Sequence, residues 1–180
     1  MFKPKYRITD KILSDLTKIS EIKSLVEKSN ITPAREIFLK KVATIGMAHS
    51  STSIEGNTLD KYQVRMLADG EKVIAEHKQI LEVENYLKSL KLVDKIHESK
   101  KFFEEKEILS IHKSVTTDLI DENKVGVFRR GPVYIVNISL FGHRELVYTP
   151  PKFDRVPPLI KDLLEWINNE DEIHPIIKAG

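Results

Sequence analysis

Cysteine is absent from the 180 residues of this sequence, and its absence excludes disulfide bridges, thiolate nucleophiles and cysteine-ligated metal centres. The six histidines show no HExxH or comparably close spacing, so no metal site is predicted. The sequence also has no G-x-S-x-G elbow and no G-x-x-x-x-G-K-[ST] loop. No serine nucleophile elbow and no P-loop for nucleotide phosphates are therefore predicted.

Long apolar runs and an excess of charge of one sign are also lacking. No stretch approaches about 18 consecutive apolar residues, so no membrane span is predicted, and the opening residues, MFKPKYRITD, lack the apolar core of a signal peptide. The net charge of +2, from 29 basic and 27 acidic residues, is too balanced for a dedicated nucleic-acid binder. We therefore expect a cytoplasmic protein without a membrane partner, and nucleic acid is not its expected partner.

The residues that are present predict a mainly helical protein. Apolar residues spaced three and four apart recur along most of the chain, as they do on the buried face of a helix. Pro33 has the position of a first helical residue, and this second helix is predicted to run to Glu55. On it, the spacing of Phe38, Val42 and Ile45 predicts that all three face the core.

One β-hairpin is predicted within this helical protein. The segments VYIVN and ELVYT are rich in β-branched and aromatic residues, and Gly142 lies between them, which predicts a hairpin at about 132–149. Such a ribbon could be packed on the helices, or it could keep an open edge that pairs with a guest strand. The residues alone leave both interpretations open. The fold class is mainly α with a single hairpin.

The segment HSSTSIEGNTL, residues 49–59, ends the second helix on an acidic residue. The C-terminal end of a helix carries partial negative charge, so the Glu55 carboxylate costs on the order of 0.3–1 kcal/mol there. Either Glu55 faces water, or it meets an arginine or lysine elsewhere while Ser51, one turn earlier, steadies its carboxylate. Gly56 provides the left-handed residue that ends the helix.

Four segments, in order, resemble the Fic family, whose members transfer AMP from ATP to protein side chains. SSTSIEGN resembles the family's inhibitory motif [S/T]-x-x-x-E-[G/N], with Ser51, Glu55 and Gly56 matching in turn. GNTLDKYQVRMLADG resembles the segment that follows this motif in the family. GVFRRGPVYIVN with LVYTPP resembles the stretches that enter and leave the family's flap hairpin. VPPLIKDLLEWINN followed by HPIIKA resembles the helices after the flap. The similarity covers most of residues 35 to 179.

The resemblance implies a Fic-like helical bundle with one β-hairpin, incomplete at its C-terminal end. It divides the chain into an N-terminal helical region, 1–100, which carries the inhibitory motif at 51–56, and the first part of the Fic core, 101–180, which carries the flap. It implies ATP with Mg²⁺ for the full-length family member. In the family, the inhibitory glutamate pairs with an arginine that would otherwise hold the γ-phosphate of ATP, and Glu55 inherits this role.

The resemblance also gives the flap a function. In the family, the flap pairs with the backbone of the target protein and sets the modified hydroxyl against the α-phosphate. The residues expected to dock the acceptor protein are Tyr134, Ile135, Val136 and Asn137. The acceptor protein is thus the expected partner. A homodimer, in which a second copy of the chain is the partner, is the alternative.

The family's catalytic signature, His-Pro-Phe-x-x-Gly-Asn-Gly-Arg, does not occur in these 180 residues. The tripeptide at Ile173–Pro175 is not that signature, because no Phe or Gly-Asn-Gly-Arg follows it. No catalytic residues are therefore assigned. The sequence is interpreted as the N-terminal and middle portion of a self-inhibited Fic-type protein adenylyltransferase, without transferase activity of its own.

Two other interpretations remain at this stage. The chain could be a regulatory protein that supplies the Glu55 helix to a separate Fic domain, or a degenerate Fic remnant. It could also be a helical interaction or DNA-binding module, against which the absence of a basic face weighs.

Overall fold

The computed structural model describes residues 2–99, 102–139, 142–169 and 173–179. Within these residues, seven α-helices and one two-stranded antiparallel sheet are found. The elements are α1 (Asp10–Lys28), α2 (Pro33–Ile54), α3 (Lys61–Ala68), α4 (His77–Ser99), α5 (Glu105–Thr116), β1 (Ile135–Ile138), β2 (Arg144–Tyr148), α6 (Val156–Asn169) and α7 (Pro175–Ala179). The predicted fold class, mainly α with a single hairpin, is confirmed.

The apolar core lies between α2, α3 and α4. Its buried residues are Ile45, Ala48, Leu59, Val64 and Val83. The α3 helix begins sharply because Asp60 and Gln63 form a capping box, in which each side chain accepts a hydrogen bond from the other residue's backbone N–H, at 2.8 and 2.9 Å. This core surrounds the C-terminal half of α2 and thereby positions its end.

The prediction that Phe38 and Val42 face the core is wrong, whereas Ile45 is buried as predicted. Phe38 and Val42 instead line an open groove of about 430 Å³ together with Tyr62 of α3. The eight residues of α3 are too few to enclose them, so the N-terminal half of α2 keeps its apolar side chains exposed.

A polar contact closes the interface between α4 and α5. Asn85 is buried, and its side-chain amide donates to the backbone carbonyls of Val115 and Thr117, at 3.3 and 2.7 Å. The last carbonyls of a helix have no partner within the helix. Asn85 therefore satisfies acceptors at the C-terminal end of α5 that would otherwise be buried unpaired.

The hairpin predicted at about 132–149 is present, and its two strands pair in antiparallel register. Val136 faces Leu146, and the register shifts between Ile135 and Val136, where β2 contributes an extra residue. At the turn, the Gly142 N–H donates to the Ser139 carbonyl at 2.9 Å, with Gly142 in the left-handed region at φ +79°. Residues 140 and 141, which belong to the predicted turn, lie outside the described residues.

None of the helices in the described ranges combines the length and the apolar composition that crossing a membrane requires.

Replacing Asn85 with alanine should lower the free energy of unfolding by about 1–3 kcal/mol, because two buried carbonyls at the end of α5 lose their donor. Urea unfolding followed by circular dichroism measures this change. Lys88→Ala, an exposed position on the same helix, is the matched control and should shift stability by no more than about 0.5 kcal/mol. Equal effects of the two substitutions would contradict the capping role of Asn85.

Candidate functional site

The C-terminal end of α2 is a complete Schellman motif. The Gly56 N–H donates to the Ser53 carbonyl and the Asn57 N–H donates to the Thr52 carbonyl, both at 3.0 Å. Gly56 has φ +92°, as the predicted left-handed residue should. The helix ends at Ile54, one residue earlier than predicted, and Glu55 is its C-cap. The acidic residue therefore stands at the negative end of the helix, followed at once by a fixed turn.

Asn57 fastens this turn to α4. Its side chain is buried, and its Nδ2 donates to the backbone carbonyl of Gln79 at 2.9 Å and to the Glu82 carboxylate at 2.8 Å. Its Oδ1 accepts from the Leu59 N–H at 3.0 Å, which makes an Asx turn. These contacts of Asn57 were not predicted from the sequence. The Asn-Thr-Leu stretch after Gly56 could have indicated the Asx turn, but not the bonds to α4.

Ser51 lies on the other side of Glu55 and contacts a different residue from the one expected. Its hydroxyl forms a 2.8 Å hydrogen bond with the hydroxyl of Tyr86 on α4. We expected the Ser51 hydroxyl to bind the Glu55 carboxylate. In the structure this hydroxyl instead bonds to Tyr86 of α4. Ser51 and Asn57 thus attach the end of α2 to α4 on both sides of Glu55.

The Glu55 carboxylate is exposed, and no basic residue of the described chain forms an ion pair with it. The sequence left two interpretations open for Glu55. The one in which Glu55 meets a lysine or arginine is not realised within the described residues. The carboxylate has no cation partner among the described residues, and it lies at a helix end that hydrogen bonds attach to α4. Both its own charge and the helix dipole attract a cation there.

The flap hairpin is exposed on both faces. Every residue of β1 and β2 is exposed, as is Tyr134 just before β1, and within the described residues the strands contact mainly each other. A ribbon packed on the helices, one of the two interpretations of the sequence, is therefore wrong. Within the described residues, β1 has β2 as its one strand neighbour, so its other edge has backbone groups open for pairing. Ile135, Val136 and Asn137 lie in β1, as expected of a docking strand.

Two side chains hold the base of the hairpin by hydrogen bonds. Neither was predicted from the sequence to position the flap. The Arg129 guanidinium donates to the Gly131 carbonyl at 3.1 Å and also to the Pro151 carbonyl, so that it joins the segment before β1 to the segment after β2. His112 is half-buried on α5. Its Nδ1 accepts from the Gly126 N–H at 3.0 Å, which ties the segment leading to the flap onto α5.

The side chains of the described residues form no cluster of three or more His, Cys, Asp or Glu that could hold a metal ion.

Three solved structures share this architecture. The chain is similar, with a TM-score of 0.76 and 30% identity, to the crystal structure of a Fic family protein from Desulfovibrio desulfuricans, over 99% of this chain and 51% of that one. It is similar, at 20% identity, to a Fic domain containing signaling protein from Bacteroides thetaiotaomicron, with a TM-score of 0.71 over 89% of this chain and 59% of that one. It is likewise similar to Fic-1 (residues 134–508) from C. elegans, with a TM-score of 0.69 and 20% identity over 95% of this chain and 50% of that one.

The chain therefore spans between half and three fifths of the length of the solved structures that it matches. No protein-family model and no curated protein sequence matches it.

Replacing Gly56 with alanine should destabilise the protein by about 1–2 kcal/mol, since an alanine at φ +92° is strained although its Cβ would have open space. Gly46→Ala is the matched control: Gly46 lies within α2, also with open space around a Cβ, and the substitution should stabilise the helix by about 0.5–1 kcal/mol. Urea unfolding measures both. Effects of the same sign would contradict the left-handed turn.

Proposed function

From the Fic-like fold that the chain shares with these three solved Fic structures, we propose that it is the inhibitory and flap-bearing part of a Fic-type protein adenylyltransferase. The fold expected from the sequence resemblance, a helical bundle with one hairpin, is the fold found. The proposed activity is the transfer of AMP from ATP to a hydroxyl of an acceptor protein. The resemblance of the motifs supports this activity, and the residues proposed to regulate it are Ser51, Glu55 and Gly56.

The observation that carries the proposal is the exposed carboxylate of Glu55, which has no ion-pair partner among the described residues and lies at a helix end that hydrogen bonds attach to α4. A carboxylate and a phosphate oxygen compete for the same planar, bidentate guanidinium, and charge-assisted pairs of this kind are strong. While Glu55 holds the arginine of a Fic catalytic motif, ATP cannot settle in a geometry suited to in-line attack. Ser51 and Asn57 support this role because their bonds to α4 hold the backbone on both sides of Glu55 in place.

The flap is proposed to bind the acceptor protein by strand addition. The open edge of β1 offers backbone donors and acceptors to an extended segment of the acceptor, and such pairing is independent of the guest's sequence. Tyr134, Ile135, Val136 and Asn137 are the proposed docking residues. Arg129 keeps both arms of the hairpin at a fixed separation at its base, which presents the edge in one orientation.

The described residues do not by themselves fit ATP and Mg²⁺. The sequence has no phosphate-binding loop, and the described acidic side chains form no cluster for a cation. The catalytic base and the phosphate-binding arginines of the proposed enzyme would come from a Fic catalytic motif that these 180 residues do not contain.

A trans-acting regulator is the second candidate function, and one observation favours it. Glu55 is exposed at the surface without a cation partner among the described residues, so a separate Fic domain could reach it as readily as a covalently attached one. The inhibitory contact would be the same in either arrangement.

The 180-residue chain should incorporate no AMP into any protein, because it contains no catalytic signature. Incubation with radiolabelled ATP, Mg²⁺ and a mixture of acceptor proteins measures this, with a catalytically active Fic domain as the positive control. Transfer at the rate of the positive control would refute the proposed division of roles.

Added in excess, the chain should inhibit an active Fic domain that lacks an inhibitory helix of its own. Glu55→Gln should raise the concentration needed for half-inhibition by about tenfold to a hundredfold, since the neutral amide cannot form the charge-assisted pair. Glu71→Gln, at another exposed glutamate, is the matched control and should inhibit like the unaltered chain. If Glu55→Gln inhibits as strongly as Glu71→Gln, Glu55 is not the inhibitory group.

A further inference from the structure

The segment that leads into the flap is held against α5 by a histidine. The imidazole of His112 is half-buried, and its Nδ1 accepts a hydrogen bond from the Gly126 N–H at 3.0 Å. Gly126 lies so close to α5 that a Cβ on it would come within 2.9 Å of the Lys113 Cβ and 3.3 Å of the Leu109 carbonyl oxygen. Both observations place the backbone at Gly126 directly on the helix.

The position of the hairpin base depends on this contact. Arg129 follows Gly126 by three positions, and its guanidinium donates to the carbonyls of Gly131 and Pro151, on the two arms of the hairpin. Within the described residues the two strands contact mainly each other, so they do not themselves fix the hairpin to the helices. A movement of Gly126 away from α5 is therefore passed through Arg129 to both arms.

The His112–Gly126 bond exists in only one protonation state of the imidazole. A neutral imidazole has one N–H and one acceptor nitrogen, whereas an imidazolium donates from both nitrogens and accepts at neither. Since Nδ1 is the acceptor here, the ring is neutral and carries its hydrogen on Nε2. Histidine side chains ordinarily change charge between pH 5 and 8. A proton on Nδ1 would face the Gly126 N–H and would replace the hydrogen bond with a repulsive contact.

The surroundings of His112 add to this repulsion. His112 lines a pocket of about 580 Å³, and no acidic side chain of the described residues lines it. The charged side chains that line it are all cationic: Lys124, which pairs with Asp121, Arg129 and Arg130. From α6, the apolar Val156 lines the pocket, and α4 contacts the opposite side of α5, at Ser114. Protonation would thus add a positive charge to a cationic pocket.

We propose that His112 is a positioning residue for the flap, and that protonation of its imidazole by solvent releases the segment before the hairpin from α5. While His112 is neutral, the hairpin base is fixed to α5 and the open edge of β1 has one orientation. When His112 is an imidazolium, the hairpin moves as a unit with its own strand pairing intact. The release goes beyond the proposed function, and its consequence, weaker docking of an acceptor strand at acidic pH, rests on that function.

The test is nuclear magnetic resonance of the intact 180-residue chain between about pH 8 and pH 5.5, the range in which histidine titrates. At the higher pH, the ring nitrogens of His112 should show the hydrogen on Nε2. The protection factor of the Gly126 amide against hydrogen exchange should fall by about threefold to tenfold at the lower pH, which corresponds to the loss of one hydrogen bond.

Three variants separate titration of His112 from a merely structural role. His112→Asn places a carbonyl oxygen, which does not titrate in this range, near the position of Nδ1 and should keep Gly126 protected at both pH values. His112→Ala should leave Gly126 unprotected at both. His143→Asn, at an exposed histidine in the hairpin, is the matched control and should keep the pH response of the unaltered chain. Far-UV circular dichroism verifies that the helices remain.

The position of the hairpin is measured between two spin labels. Because the chain has no cysteine, Ser110→Cys on α5 and Glu145→Cys on β2 provide the two labelling sites, both of them exposed. Electron–electron double resonance should give a narrow distance distribution at the higher pH and a broader one at the lower pH. In the His112→Asn background the distribution should be narrow at both.

Two results would overturn the release: equal protection of Gly126 at both pH values in the unaltered chain, or a pH response that persists in His112→Asn. If Gly126 is released but the distance distribution stays narrow, His112 does not position the flap, and that part of the proposal fails. These measurements use no nucleotide, acceptor or Fic domain. Their failure therefore leaves the proposed function standing, and failure of the inhibition assay leaves the role of His112 standing.

Discussion

The attachment of the C-terminal end of α2 to α4 is the interaction on which the geometry of the candidate site depends. The hydroxyl pair of Ser51 and Tyr86 lies on one side of Glu55, and the buried amide of Asn57 binds the first turn of α4 on the other. A helix end is normally the part of a helix that opens first. Because hydrogen bonds to α4 flank Glu55 on both sides, the backbone at the end of α2 is held in a fixed position relative to α4.

Helix α4 also connects the two candidate surfaces. One face of α4 packs on α2 and α3 around Val83, and another packs on α5, where Asn85 closes the end of that helix. From α5, the bond between His112 and Gly126 continues to the segment that leads into the flap. The helix end with Glu55 and the base of the hairpin are therefore linked through contiguous packed and hydrogen-bonded elements.

The two proposed surfaces share a physical property, which is that each presents groups that a folded protein ordinarily pairs or covers. At the end of α2 these are a carboxylate beside the exposed Ile54, and in the hairpin they are the open edge of β1 and side chains exposed on both faces. A two-stranded ribbon is only marginally stable by itself. The hydrogen bonds that Arg129 donates at the base of the hairpin offset part of that instability, and they leave the open strand edge available to a further strand.

The sequence by itself determined the features that depend on neighbours along the chain. Helical spacing, the left-handed Gly56 and the β-branched and aromatic segments that make the hairpin are all local, and they were predicted. Contacts across the fold were decided by the tertiary structure: Tyr86 takes the Ser51 hydroxyl, Asn57 reaches α4, Arg129 bridges the hairpin base, and Phe38 with Val42 stays uncovered because α3 is short. Periodicity shows that a residue is on an apolar face, but only the placement of other elements decides whether anything covers that face.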